Sequence, residues 1–317
     1  MPSRKQTVGV VGLGIMGGAF AKNLIGAGFR VIGFDIDPTP QRIARKAGVE
    51  IAPDVGALAA AAPAIITSLP HPAALADTVA AIVAADVSRR VIVEASTFTL
   101  ADKLAAEQAL SGAGHIALDC PVSGTGAQAK VKDIVIYASG DRRAIAQLRP
   151  VFLGFARAVH DLGAFGNGSR MKYVANLLVA IHNVASAEAM VFGIKAGLEP
   201  KRIFELVTAG AGNSRVFELR APMMVKDRYD DASMKIKLWQ KDLAVIGDYA
   251  AQLGCPTPLM SATLPIYAAA MSMGHAMHDT AAVCAVLEEM AGVKRRQRTG
   301  QRKSKVAVSV RTAAGSR

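Results

Sequence analysis

Cysteine is scarce in this chain. The three present, Cys120, Cys255 and Cys284, are scattered without ligand spacing. That excludes a disulfide framework and a cysteine-based zinc site, and it points to a reducing compartment, the cytoplasm. The six histidines, His71, His115, His160, His182, His275 and His278, form no ligand pattern either. His275 and His278 could share a helical face, but only Asp279 stands near them, so no metal is expected. No internal repeat is present. A long apolar run free of polar residues is also missing: the most apolar later stretch, Ala175 to Ala196, carries Asn176, His182, Asn183, Glu188 and Lys195. It suits a buried helix better than a bilayer span, and no membrane partner is expected. Acid is absent from residues 294–317, which hold nine Lys or Arg; those nine account for most of the net charge of +12 and leave the body at +3. A Ser-, Gly- and Thr-containing basic segment of this kind cannot form a core and reads as a solvated, disordered tail, and weak, salt-sensitive contact with nucleic acid is confined to it.

What the chain does have is 317 residues that are 51% hydrophobic and 20% charged, enough for two domains and a large core. Its most informative segment is Val8-Gly9-Val10-Val11-Gly12-Leu13-Gly14-Ile15-Met16-Gly17, a short buried strand running into a glycine-rich turn and then a helix. Gly12 permits the sharp turn, Gly14 clears the place where a pyrophosphate approaches the backbone, and Gly17 lets the helix pack on its own strand. The helix N-terminus then faces the phosphates. A second strand, Arg30 to Phe34, leads to Asp35, 21 positions after Gly14. A carboxylate there accepts from ribose hydroxyls and repels a 2′-phosphate, so NAD is expected over NADP. Ser3-Arg4-Lys5 and the apolar residues after it are read as mature structure rather than a leader, because five glycines lie between Gly9 and Gly18.

Further along, strands are expected at Ala64 to Ser68, Val91 to Glu94, His115 to Asp119, Ile134 to Ala138 and Arg157 to His160. Helices near 54–61, 72–84, 100–110 and 141–153 alternate with them. Alternation of this kind implies an α/β fold: an N-terminal Rossmann-type, doubly wound, mostly parallel sheet that binds ligands beyond the carboxyl ends of its strands. From Ser169 to Ala196 apolar residues (Met171, Val174, Leu178, Ile181, Ala185, Met190) recur at helical spacing, predicting a long interdomain helix. An all-α C-terminal domain is expected after it, with helices near 200–209, 214–225, 234–253, 258–273 and 279–291. The expected division is 1–168 for the NAD-binding domain, 169–293 for the helical substrate and dimerisation domain, and 294–317 for the basic tail. A helical domain rich in Met, Ala and Leu suggests apolar surface covered by a sister subunit, hence a homo-oligomer.

Three segments could supply a reaction. In Gly166-Asn167-Gly168-Ser169-Arg170-Met171-Lys172, with Asn176 four residues on, Lys172 and Asn176 share a helical face. Lys172 is expected in the first turn, where the helix dipole and the apolar neighbours Met171, Val174 and Leu177 disfavour its ammonium form. An amine so perturbed can act as general base on a hydroxyl; an ordinary solvated lysine is the alternative. Asp119-Cys120-Pro121-Val122-Ser123-Gly124-Thr125-Gly126 offers consecutive backbone N–H groups and two hydroxyls that suit a carboxylate, or is a plain turn. Lys241-Asp242-Leu243 could close over the site, or be a surface ion pair.

Taken together these segments resemble the β-hydroxyacid dehydrogenase family, from about Val8 to Gly292. The four motifs stand in the family's order: Gly12-Leu13-Gly14-Ile15-Met16-Gly17 for cofactor, Asp119 to Gly124 for substrate, Gly166-Asn167-Gly168 with Lys172 and Asn176 for catalysis, and Lys241-Asp242-Leu243. The resemblance implies NAD-dependent oxidation of a small β-hydroxy acid, or reduction of its semialdehyde. Lys172 would be the acid/base and Asn176 a substrate-holding catalytic residue. Ser123, Gly124 and Thr125 would lie at the substrate carboxylate, Leu69-Pro70 and Thr97 beside the nicotinamide, and Lys241 at cofactor or substrate. Thr125 and Lys132 replace glycines usual in the family, and Met234 replaces a phenylalanine, which bears on substrate identity; the segment Gly212 to Arg220 looks most like the L-threonate dehydrogenase branch. The alternatives are an NADP-dependent semialdehyde or imine reductase, against which Asp35 and Lys172 respectively argue, and an idle cofactor-domain protein bound to nucleic acid, against which Lys172 also argues.

Overall fold

The computed structural model describes residues 6–295. Ser3-Arg4-Lys5 and all of the basic tail except Lys294 and Arg295 lie outside the described residues. The first βαβ unit is β1 (Thr7–Val11), α1 (Ile15–Gly26) and β2 (Arg30–Phe34). It continues through α2 (Pro38–Lys46), β3 (Glu50–Ile51), α3 (Val55–Ala61), β4 (Ala64–Thr67), α4 (Pro72–Ala84), β5 (Val91–Glu94), α5 (Leu100–Gly112) and β6 (Ile116–Asp119). Next come β7 (Val122–Ser123), α6 (Gly126–Lys130), β8 (Val135–Gly140), α7 (Arg142–Phe155) and β9 (Ala158–Asp161). The rest is helical: α8 (Asn167–Lys195), α9 (Pro200–Ala209), α10 (Arg215–Lys226), α11 (Ile236–Gln252), α12 (Pro258–Ser272), a 3₁₀ turn at Thr280–Ala282 and α13 (Val283–Met290).

The strand order is β3-β2-β1-β4-β5-β6-β8, with β7 and β9 both paired to β8. Pairing is parallel from β3 to β6; β8 runs antiparallel to β6 and β7 and parallel to β9. The order reverses between β1 and β4, which opens a crevice at their carboxyl ends. Two apolar layers sandwich the sheet. Val8, Val10, Phe20, Leu24 and Phe152 belong to one, and Val11, Leu58, Ile65, Ile82 and Ile92 to the other. Side-chain caps set several helix starts: Asp54 Oδ1 accepts from Ala57 N at 2.7 Å and Asp141 Oδ1 from Ala144 N at 2.7 Å.

A third core gathers Tyr173, Ala180, Ala187 and Met190 of α8 with residues of α9 to α13. By length and composition α8 could cross a membrane; here it is the helix around which this core is built. The first half of its apolar stripe does not face that core, whereas Met190 lies in it and Ile181 packs against it. Met171, Val174 and Leu178 are exposed, and the buried face is Lys172, Tyr173, Asn176, Ala180, Asn183, Val184 and Ala187. Small and amide side chains permit close packing, and Asn183 Nδ2 donates to Tyr267 Oη at 3.0 Å and Thr280 O at 2.9 Å.

Other sequence expectations also shift. α2, β3, β7 and α6 were not anticipated: α2 buries only Ala44, β3 and β7 are two residues long, and α6 spans five, too little pattern to read. His275 and His278 lie beyond the end of α12, outside any helix, with Nδ1 atoms 2.8 Å apart. Among the described residues no group of three or more His, Cys, Asp or Glu could hold a metal. Arg295, assigned to the tail, is docked: it pairs with Glu288 and donates to Val225 O at 3.2 Å.

Candidate active site

The glycine-rich turn is shaped by steric exclusion. Gly12 has φ +87°, and a Cβ there would stand 2.2 Å from Ser68 O; one on Gly17 would stand 1.9 Å from Gly12 O. A Cβ on Gly14 would meet nothing within 4 Å. Two glycines therefore serve the fold and the third leaves a free surface at the N-terminus of α1, where backbone N–H groups and the helix dipole accept an anion. Asp35 caps the end of β2: Oδ2 accepts from Leu13 N at 2.7 Å and Oδ1 from Asp37 N at 2.9 Å. Each oxygen keeps a second lone pair for a ribose hydroxyl. The turn, the acid and a cleft of about 570 Å³ fit a dinucleotide. Gly12, Gly14, Ile15, Met16, Asp35, Leu69, Pro70 and Thr97 all line that cleft.

Lys172 and Lys241 line the same cleft from the helical side. Because α8 starts at Asn167, capped by Gly166 at φ +90°, Lys172 sits in its second turn rather than its first. The dipole is weak there. Of the expected apolar neighbours, Met171 and Val174 are exposed, and Leu177 is half-buried against the helical core. Burial is nonetheless nearly complete, at 8% exposure, and it lowers the amine pKa to about 8; Lys241 and Lys103 push in the same direction and Asp242 opposes them. Lys172 Nζ donates to Val122 O at 2.7 Å. A neutral amine spends one N–H there and keeps its lone pair for a proton.

Asn176 is buried and donates to Asp242 Oδ2 at 2.9 Å, while Lys241 Nζ lies 3.3 Å from Asp242 Oδ1. Lys241 also donates to Thr97 O and stands 5.0 Å from the Phe98 ring centroid. So Asp242, 66 residues from Asn176, joins the two helical motifs, and Lys241 joins them to the loop after β5. Asp242 stood in a motif but was not expected to organise the site.

The substrate loop departs further from expectation. Gly124 has φ +134°, and a Cβ there would meet Ile134 Cγ2 at 2.6 Å, so glycine is required. Ser123 is half-buried and pairs with Val135. Gly124, Thr125 and Gly126 line the cleft; Ser123 and Asn176 are outside its lining. Thr125 N faces Gln128 Oε1 at 3.1 Å and its hydroxyl the same oxygen at 3.5 Å, because Thr125 caps α6. Two of the donors expected to be free for a carboxylate are thus turned toward Gln128. Met234 lines the cleft on a segment held by Asp279, whose Oδ2 accepts from Ser233 N at 2.8 Å and Met234 N at 3.2 Å, with Arg220 Nη1 at 2.9 Å.

Beneath the loops lies an ionic cluster that no local pattern announced. Lys103, wholly buried in α5, pairs with Glu94 Oε2 at 2.7 Å and Asp119 Oδ1 at 2.8 Å. Asp119 also accepts from Ser169 N at 2.7 Å and Ser169 Oγ at 2.8 Å. In sequence Lys103 is one more helical lysine, and only folding brings the two acids to it.

Two family models match the chain: the NAD-binding domain of 6-phosphogluconate dehydrogenase over residues 7–163, and the NAD-binding region of NADP-dependent 3-hydroxyisobutyrate dehydrogenase over 166–287. The chain is 31% identical over 282 residues to L-threonate dehydrogenase of Cupriavidus necator, covering 88% of this chain and 95% of that one. It is 30% identical over 291 residues to the probable 3-hydroxyisobutyrate dehydrogenase of Mycobacterium tuberculosis, covering 90% and 99%. Among solved structures, 3-hydroxyisobutyrate dehydrogenase from Salmonella typhimurium superposes with a TM-score of 0.81 at 29% identity, covering 89% of this chain and 100% of that one.

Proposed function

The chain belongs to the 3-hydroxyisobutyrate dehydrogenase family of NAD(P)-dependent hydroxyacid dehydrogenases, and we propose that it oxidises the alcohol of a small β-hydroxy acid, or reduces the matching semialdehyde, with Lys172 as general acid/base. One observation carries the assignment: a buried lysine whose pKa is lowered to about 8 lines the same cleft as the dinucleotide turn. Bound NAD supplies the hydride acceptor. In the oxidative direction Lys172 Nζ takes the hydroxyl proton while Val122 O holds the amine in place; in the reductive direction it returns the proton. Asn176 and Asp242 fix the face of α8 that presents Lys172. Gly124, with Ser123 and Thr125 beside it, lies where the substrate carboxylate docks, Lys241 braces the loop at Thr97, and Leu69-Pro70 and Thr97 flank the nicotinamide.

Asp35 supports NAD as the preferred form, since a carboxylate at the end of the second strand accepts from ribose hydroxyls and repels a 2′-phosphate. The exposed residues Met171, Val174 and Leu178, at i, i+3 and i+7 on α8, support a homo-oligomer in which a second copy covers them. Cys255, an exposed free thiol, supports a reducing compartment such as the cytoplasm. We divide the chain at the start of α8 into a cofactor domain and a helical substrate domain.

The test is turnover of C3 and C4 hydroxy acids, L-threonate and 3-hydroxyisobutyrate among them, with NAD and with NADP. Oxidation of at least one, faster with NAD, is expected. No turnover of any would refute the substrate class, and a strong NADP preference the role given to Asp35.

A further inference from the structure

The Lys103 cluster lies outside the cleft, yet its bonds run to both walls of it. Glu94 ends β5, and its Oε1 accepts from Ser96 N at 2.9 Å; Ser96 Oγ in turn accepts from Leu69 N at 2.8 Å. These residues shape the loops on the nicotinamide side. Asp119 ends β6 and grips Ser169, one helical turn before Lys172. Glu94 and Asp119 are neighbours in β5 and β6. Two buried carboxylates at this separation would repel one another, and the ammonium between them replaces repulsion with attraction.

We propose that Lys103 is a positioning residue: ion-paired with Glu94 and Asp119 at once, it fixes the nicotinamide-side loops against the helix that presents Lys172. The proposal rests on the role given to Lys172. The ionisable groups facing Lys103 are Glu94 of β5, Asp119 of β6, Cys120 beyond it and Tyr173 of α8; those facing Lys172 are Asp242 and Lys241 of α11 and Lys103 of α5. Lys103, around which the first set gathers, is itself a member of the second and so links the two.

The experiment uses the full chain with Lys103→Met, and with Lys103→Met combined with Glu94→Gln. The double variant keeps the parent charge of the buried cluster but lacks the ammonium bridge. In Lys103→Met, kcat is expected to fall roughly 10- to 100-fold with the KM for NAD nearly unchanged, as a misplaced acid/base would cause. The pH at half-maximal kcat should move up by about half a unit or more, because a cation near Lys172 is gone. The double variant should recover the parent Tm and keep the low kcat. Parent kcat and pH profile in either folded variant would overturn the proposal, and failure of both to fold would make Lys103 a stability element instead. Lys172→Ala, assayed alongside, separates the two claims: if it turns over normally, the acid/base assignment itself is wrong.

Discussion

The cofactor turn and the amine cluster are two walls of one cleft built on opposite principles. Between Gly12 and Gly17 the wall is backbone, and what matters is which side chains are missing: a Cβ on Gly17 would overlap Gly12 O, while one on Gly14 would touch nothing. Across the cleft, Lys172, Lys241 and Asp242 form a polar wall backed by Asn176, in which each amine or amide N–H is held by another residue's oxygen. Where a glycine is walled in, as Gly17 is, nothing larger fits. Ionic walls tolerate size and fail when a partner is lost.

Removing the proposed acid/base should have the largest effect. Lys172→Ala is expected to lower kcat by about 10² to 10⁴ while NAD binding, measured by fluorescence titration, stays near parent. Parent kcat in the oxidative direction should rise with pH through about 8 as the amine loses its proton. Next is the opposite wall: Gly17→Ala should lose about 3 kcal/mol of stability in urea unfolding and weaken NAD binding more than tenfold, because the Gly12 carbonyl must move. An intact cradle in that variant would break the contrast.

A finer test compares the two walls in stability. Folded Lys172 has a pKa lowered to about 8 from 10.5, so between those values the unfolded chain holds more protons and stability from this group rises with pH. Below pH 8 the whole penalty, on the order of 3 kcal/mol, is present. Lys172→Met should therefore be more stable than the parent at pH 7, by about 1–3 kcal/mol after loss of the bond to Val122 O, with the gain fading toward pH 10.5. Equal stability at pH 7 would mean the ammonium is not strained by burial. The smallest effect is expected at Lys132, which holds φ +62° in the turn after α6. Lys132→Gly should add about 0.5–1 kcal/mol in thermal unfolding with turnover unchanged.

The same contrast explains what could be read in advance. A strand, a turn and a helix within ten residues betray the phosphate cradle, since each glycine answers to a local steric demand; Asp35 follows at the end of the next strand. β2 and β5 fall where the alternation of apolar runs places them. Lys172 and Asn176 were legible as neighbours because four residues make one helical turn. Asp242 and Lys103 were not, because their partners stand on other elements and only folding brings them together. The stripe of Met171, Val174 and Leu178 misled for a related reason: periodicity shows that a helix has faces, not which one is buried.

One property of α8 reaches beyond the cleft. The helix runs unbroken from Asn167 to Lys195, its first turn bonded to the sheet through Asp119 and Ser139 and its later turns set among α9 to α13. It is a lever. From Met190 to Lys172 is roughly 27 Å along the axis, so a tilt of only about 2° at the far end displaces the amine by about 1 Å, a shift large enough to alter turnover. Substitutions deep among the helices, with no atom near the reacting groups, thereby gain a mechanical hold on catalysis.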